Sequence, residues 1–104
     1  MKLEMHLEMH VEAKEELREA AHYYESRQSG LGSRFLDVIE DSFSRIESEP
    51  EVWAPVEGDI RRCLAHIFPY AIFYSIERQR ILILAVAHLA REPGYWTARS
   101  RDRT

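Results

Sequence analysis

Along residues 2–10, Leu3, Met5, Leu7 and Met9 alternate with Lys2, Glu4, His6, Glu8 and His10. A period of two sends one set to each face of a strand, so the spacing predicts a half-buried β-strand over 2–10. The doublet LEMH-LEMH is too short for a solenoid repeat and reads as strand alternation. From Glu12 the period lengthens: Ala13, Leu17, Ala20, Ala21 and Tyr24 recur at steps of three and four with Glu15, Glu16, Arg18 and Glu19 between them. That pattern predicts an amphipathic helix over 12–28. Gly30-Leu31-Gly32 supplies a stop, and Phe35, Val38, Ile39, Ser42, Phe43 and Ile46 restart a helical stripe over 32–49, closed by Pro50. So short a connection makes the two helices an antiparallel hairpin.

After a linker from Glu51 to Gly58 come three β-rich runs, 59–68, 70–77 and 80–88. Pro69 cannot donate to a ladder and marks a corner, while Arg78-Gln79 is short enough for a tight hairpin. ILILAVA, residues 81–87, is the most apolar run in the chain and reads as an interior strand buried on both faces. The expected architecture is α+β in the order β-α-α-β-β-β, with the helix hairpin on one face of a mainly antiparallel sheet and a short tail over 94–104. At 104 residues, positions 1–104 form a single domain with one modest core.

A two-residue turn at Arg78-Gln79 sets Ile76 opposite Ile81, Tyr74 opposite Ile83 and Ile72 opposite Ala85, on a face suited to the helices. The other face then carries Phe73, Ser75, Leu82, Leu84, Val86 and His88, largely apolar with no obvious cover. The preferred reading is that a partner protein covers it, either a second copy or a different chain. The alternative is a sheet curled tightly enough to be filled by the tail, which offers Tyr95 and Trp96.

Charge and cysteine content narrow the class. Hydrophobic residues make up 45% of the chain and charged residues 31%, an ordinary globular balance. The net charge of −4 lacks the basic footprint of a nucleic-acid binder, although residues 60–104 hold Arg61, Arg62, Arg78, Arg80, Arg91, Arg99, Arg101 and Arg103 against Glu77, Glu92 and Asp102. Cys63, the lone cysteine, excludes an internal disulfide and is expected as a small buried side chain. No run approaches the ~20 apolar residues of a membrane span, and the alternating N-terminus does not resemble a signal peptide, so a cytoplasmic location is expected.

Candidate chemistry is sparse. His6, Glu8 and His10 would share a strand face, but H-x-E-x-H is not the helical zincin spacing, and a polar face explains it without a metal. Arg62, His66, His88, Arg91 and Tyr95, with Arg61, could gather at one end of the sheet. A metal-independent ribonuclease needs such groups: a base for the 2′-hydroxyl, an acid for the leaving oxygen, and arginines for the phosphate charge. In a purely structural alternative, Arg62 pairs with Glu77 across the strands while His88 and Arg91 hold the tail down. No Gly-rich phosphate loop, Cys-His cluster or Ser-His-Asp ordering is present, and no cofactor is implied.

The order of elements, with EELREAAHYYESRQSGLGSRFLDVIE at 15–40, RR at 61–62, FPYAIFYSIE at 68–77 and AVAHLAREPGYW at 85–96, resembles the RelE/ParE superfamily of bacterial toxins over nearly the whole chain. The resemblance implies a plasmid-stabilisation type of role, the toxin of a type II toxin-antitoxin pair silenced by a cognate antitoxin in a hetero-oligomer. RelE-like members cleave mRNA on the ribosome, whereas ParE-like members poison DNA gyrase without a nuclease site. By resemblance Arg62, His88, Arg91 and Tyr95 match the groups nuclease members use, and Phe73, Leu84, Val86, His88, Arg91, Tyr95 and Trp96 are the expected antitoxin- or target-binding positions. The acidic charge and the scarcity of lysine, only Lys2 and Lys14, argue against grip on a ribosomal RNA surface and favour the ParE-like branch, with no direct sequence-specific DNA binding.

Overall fold

The computed structural model describes residues 5–102, with side chains through Ser100. Its elements are β1 His6–Met9, α1 Val11–Arg27, α2 Leu31–Ser48, β2 Pro55–Glu57, β3 Ile60–Leu64, β4 Tyr70–Glu77, β5 Arg80–His88 and α3 Arg99–Asp102. Positions 2–4 of the expected first strand lie outside the described residues. His10 ends that strand because its ring Nδ1 accepts the Glu12 N–H at 3.1 Å and caps α1.

The hairpin of α1 and α2 depends on two glycines. Gly30 takes φ +89°, a left-handed turn that no L side chain adopts cheaply. Glu25 of α1 accepts the N–H groups of Gly30 and Gly32, each at 2.9 Å, and these bonds hold its carboxyl below the ordinary value. At Gly32 the helices nearly touch: a Cβ there would stand 2.6 Å from the Ala21 carbonyl oxygen. Gly32→Ala is therefore expected to spread the hairpin and cost about 1–3 kcal/mol, seen as a lowered thermal midpoint.

The sheet runs β1-β5-β4-β3-β2, with β1 parallel to β5 and every other pair antiparallel. β5 is the interior strand that its apolar run predicts. β2 lies inside the predicted linker, where three residues including a proline give almost no periodic signal. The run expected over 59–68 stops at Leu64 instead: Ile67 sits at φ +68° and Ala65 N–H bonds the Tyr70 carbonyl, folding 65–69 into a tight corner. Left-handed backbone at a β-branched residue is strained.

Register at the β4–β5 turn is as expected for Ile76↔Ile81 and Tyr74↔Ile83, but Ile72 faces Val86 rather than Ala85. A bulge between Phe73 and Tyr74 in this ladder makes Leu84 the extra residue on β5. Val86 is thereby carried to the helix face, and Ala85 and Ala87 to the other.

Two cores result. The larger unites Ile72, Tyr74, Ile81, Ile83 and Val86 with Ala13, Ala20, Phe35, Ile39 and Ile46 of the helices. The smaller joins Ile60, Leu82, Leu84, Ala85 and Ala87 to Trp96 from the tail. The second face, which the sequence pattern leaves open for a partner, is instead closed by the chain's own C-terminal segment: Leu82 is 1% exposed and Leu84 0%. Cys63 is buried in the larger core.

Burial pushes the hydroxyls of Tyr70 and Tyr74 up to about 12, and Tyr74 also donates to the Pro50 carbonyl at 2.6 Å. A raised folded value means stability fully present below the unfolded pKa of about 10 and lost as pH climbs through about 12. Absorbance at 295 nm during alkaline titration should accordingly show these two tyrosines ionising late, together with unfolding. Normal titration of every tyrosine near pH 10 in folded protein would contradict their burial.

Candidate functional site

The segment after β5 folds back across the sheet. Arg91 N–H bonds the His88 carbonyl, Gly94 turns at φ +82°, and Thr97 donates through both its N–H and its hydroxyl to the Gly94 carbonyl. This places Trp96 flat on Phe73, ring centroids 4.1 Å apart at 23°. Between that stack and the end of the sheet lies a cleft of about 210 Å³ lined by Arg62, Phe73, His88, Arg91, Tyr95 and Trp96.

Arg62, His88, Arg91 and Tyr95, expected from the sequence to gather at one end of the sheet, therefore do share one cleft. Of the four, Tyr95 has its polar group committed to the fold. The Tyr95 hydroxyl donates to a Glu16 carboxylate oxygen at 2.8 Å, and burial, reinforced by that carboxylate, holds the phenol far above its ordinary range. The Arg91 guanidinium lies 3.7 Å from the Tyr95 ring centroid. His88 Nδ1 accepts the Ala90 N–H at 2.9 Å, so a neutral ring carries its proton on Nε2 and presents a donor to the cleft. Its ring stands edge-on to Tyr70 with centroids 5.2 Å apart.

Arg62 is exposed beside Phe73, its register partner, and makes no hydrogen bond or ion pair among the described residues. The predicted Arg62–Glu77 pair does not form: Glu77 lies four positions along β4 and bonds Arg80 at 2.9 Å. Arg61 turns to the other face and donates to the Trp53 carbonyl at 2.6 Å. His66 lies apart from the cleft, within 3.8 Å of Asp41. Nor do the three N-terminal candidates assemble: His6 Nε2 lies 3.3 Å from Glu8, but His10 is turned inward to cap α1.

Two residues that sequence reading did not single out organise the region. Past Ile83, β1 no longer covers the edge of β5, and side chains take its place. Glu16 accepts the Val86 N–H at 2.9 Å, and Arg99 donates to the Leu84 carbonyl at 2.9 Å. The two pair with each other at 3.0 Å, Arg99 also meets Glu12 at 3.0 Å, and its guanidinium stands 5.0 Å from the Tyr95 ring centroid. The available signals were helical spacings, Glu12 with Glu16 and Trp96 with Arg99. Their meeting depends on the bulge at Leu84, which no local pattern reveals.

Comparison with known proteins bears on this arrangement. The family model described as ParE toxin of the type II toxin-antitoxin system parDE matches residues 7–93, most of the chain. The chain belongs to the ParE toxin family. A solved structure described as the chromosomal ParDE toxin-antitoxin system from P. aeruginosa matches with a TM-score of 0.63, covering 82% of this chain and 96% of that one. At 16% identity the likeness is one of fold. No curated protein sequence matches the chain.

Membership in the ParE family makes this chain a toxin-type component and implies an antitoxin as partner. Among the expected binding positions, His88 and Arg91 are exposed, while Phe73 and Tyr95 are half-buried. Leu84, Val86 and Trp96 are covered by the chain itself, at 0%, 2% and 4% exposure. Leu89 beside the cleft, 56% exposed, and Ile67 at the sheet corner, 77% exposed, were not anticipated as surface groups. Among the described residues no helix is long and apolar enough to cross a membrane.

Proposed function

We propose that this ParE-family chain arrests growth by binding DNA gyrase, and that a cognate antitoxin neutralises it by direct association. The observation that carries this reading is the bond from the Tyr95 hydroxyl to Glu16. The phenol of the cleft is committed to the partly buried Glu16 carboxylate, and the Arg91 guanidinium lies on its ring. What remains exposed, Arg62, His88, Leu89 and Arg91, is a mixed cationic and apolar surface suited to contact with another protein.

The reading of a RelE-like ribosome-dependent endoribonuclease is favoured by one observation, the presence of Arg62, His88, Arg91 and Tyr95 around a single cleft. One experiment separates the two. Purified toxin should inhibit gyrase supercoiling of relaxed plasmid and trap cleaved DNA, with inhibition relieved by the antitoxin. Unaffected gyrase together with cut mRNA on translating ribosomes would overturn the proposal.

A further inference from the structure

The outer edge of β1 has a specific geometry. His6 N–H bonds the Gln79 carbonyl and His10 N–H bonds the Ile83 carbonyl, with register running from His6↔Arg80 to Met9↔Ile83. In a parallel ladder alternate residues direct both backbone groups to one neighbour, so Leu7 and Met9 turn theirs to the open side. An unpaired strand edge is a template for another strand. At the far edge of the sheet β2 is blunted: it is three residues long, contains Pro55 and is irregular in register. β1 lacks the proline and the irregular register, since none of His6, Leu7, Glu8 and Met9 is a proline and its pairing with β5 is regular.

Beneath the open edge lies a groove of about 800 Å³ between β1 and α2, with Leu7, Met9, Leu36 and Phe43 in its wall. Leu36 there is 39% exposed. An added strand would bring its apolar side chains over this groove while pairing with the Leu7 and Met9 backbone.

We propose that the occupant is a second copy of this chain, its own β1 added antiparallel about a two-fold axis through Leu7. The sequence of β1 is self-complementary in that register. Leu7 faces Leu7, and Met5 faces Met9, so the hydrogen-bonded pairs fall on the residues whose backbone groups point outward. His6 then stands opposite Glu8 twice, at the non-hydrogen-bonded positions where side chains approach most closely. A register centred on Glu8 would oppose two carboxylates and place inward-turned backbone groups at the axis. One centred on Met9 would require His10, which is 1% exposed and has already left the strand to cap α1. The dimer is isologous and joins two five-stranded sheets into one.

Light scattering on the purified chain, freed of antitoxin and at tens of micromolar, is expected to give twice the 12.3 kDa of one chain. Leu7→Pro removes an outward N–H without breaking a β1–β5 bond and should give monomer. His6→Glu, at a side chain 73% exposed, sets carboxylate against Glu8 and should weaken the dimer about tenfold or more, whereas His6→Lys should keep it. The His6 pair decides the question even if Leu7→Pro fails to fold. A wild-type monomer at that concentration, or His6→Glu dimerising as tightly as wild type, overturns the proposal. A wild-type monomer whose antitoxin affinity falls in Leu7→Pro would assign the edge to a strand of the antitoxin instead.

Discussion

Replacing Arg99 with alanine should lower stability by about 3–5 kcal/mol, because it leaves a carboxylate only 15% exposed and a strand carbonyl without their shared donor. Arg99 is 9% exposed and forks between the Leu84 carbonyl and Glu16, both within 3.0 Å. Without it, Glu16 keeps the Val86 N–H and the Tyr95 hydroxyl but loses its counter-charge in a site where water reaches poorly. For a domain of this size the loss corresponds to a fall in thermal midpoint of about 15–30 °C, a large share of a total stability near 5–15 kcal/mol. Arg99→Lys should recover only part, since one ammonium cannot span both acceptors in a planar fork. The exposed Asp41, which pairs with Arg45, is the internal control: Asp41→Ala should cost at most about 1 kcal/mol. Thermal unfolding followed by circular dichroism checks both, and equal small shifts would contradict the role given to Arg99.

Trp96→Ala has an effect of similar size by a different route. The indole is 4% exposed, stacks on Phe73, and belongs to the cluster of Ile60, Leu82, Leu84 and Ala85. Truncation should cost about 3–5 kcal/mol through the cavity it leaves. It should also uncover the face of the sheet that the tail closes, detectable as dye binding to exposed apolar surface. Trp96→Phe keeps a ring over Phe73 and should lose far less. Because Arg99 and Trp96 act through one segment, the double variant should cost less than the two single losses combined. Full additivity would mean that the segment is not a unit.

The elements with strong periodicity were legible in the sequence, and those defined by tertiary pairing were not. The helical stripes through Ala13 and Ala20, and through Phe35, Ile39 and Ile46, point at the sheet as the spacing predicts. The apolar run of β5 does mark the interior strand. On the second face of the sheet, one extra residue makes the difference between the expected and the observed arrangement. The bulge at Leu84 shifts Val86 to the helix face, and the tail then finds a strand edge with free backbone groups to which Arg99 and Glu16 can bind. A pattern read one strand at a time assumes an unbroken register, so it left that face without a cover. Of the six groups expected at one end of the sheet, Arg62, His88, Arg91 and Tyr95 line one cleft, three of them because they flank the end of β5 and its following turn, whereas Arg61 and His66 lie elsewhere. The bond that engages Tyr95 comes from Glu16, seventy-nine residues earlier in the chain.

On the function proposed above, the Tyr95 hydroxyl holds the fold and does not transfer protons. Tyr95→Phe tests it most directly, since it deletes one oxygen and leaves the ring beneath Arg91. Losing a hydrogen bond to a carboxylate should cost about 1.5–3 kcal/mol. Expressed in bacteria without antitoxin, at a temperature well below its thermal midpoint, the variant should arrest growth as wild type does. Abolished growth arrest by a variant that is folded and still binds its antitoxin would contradict the account.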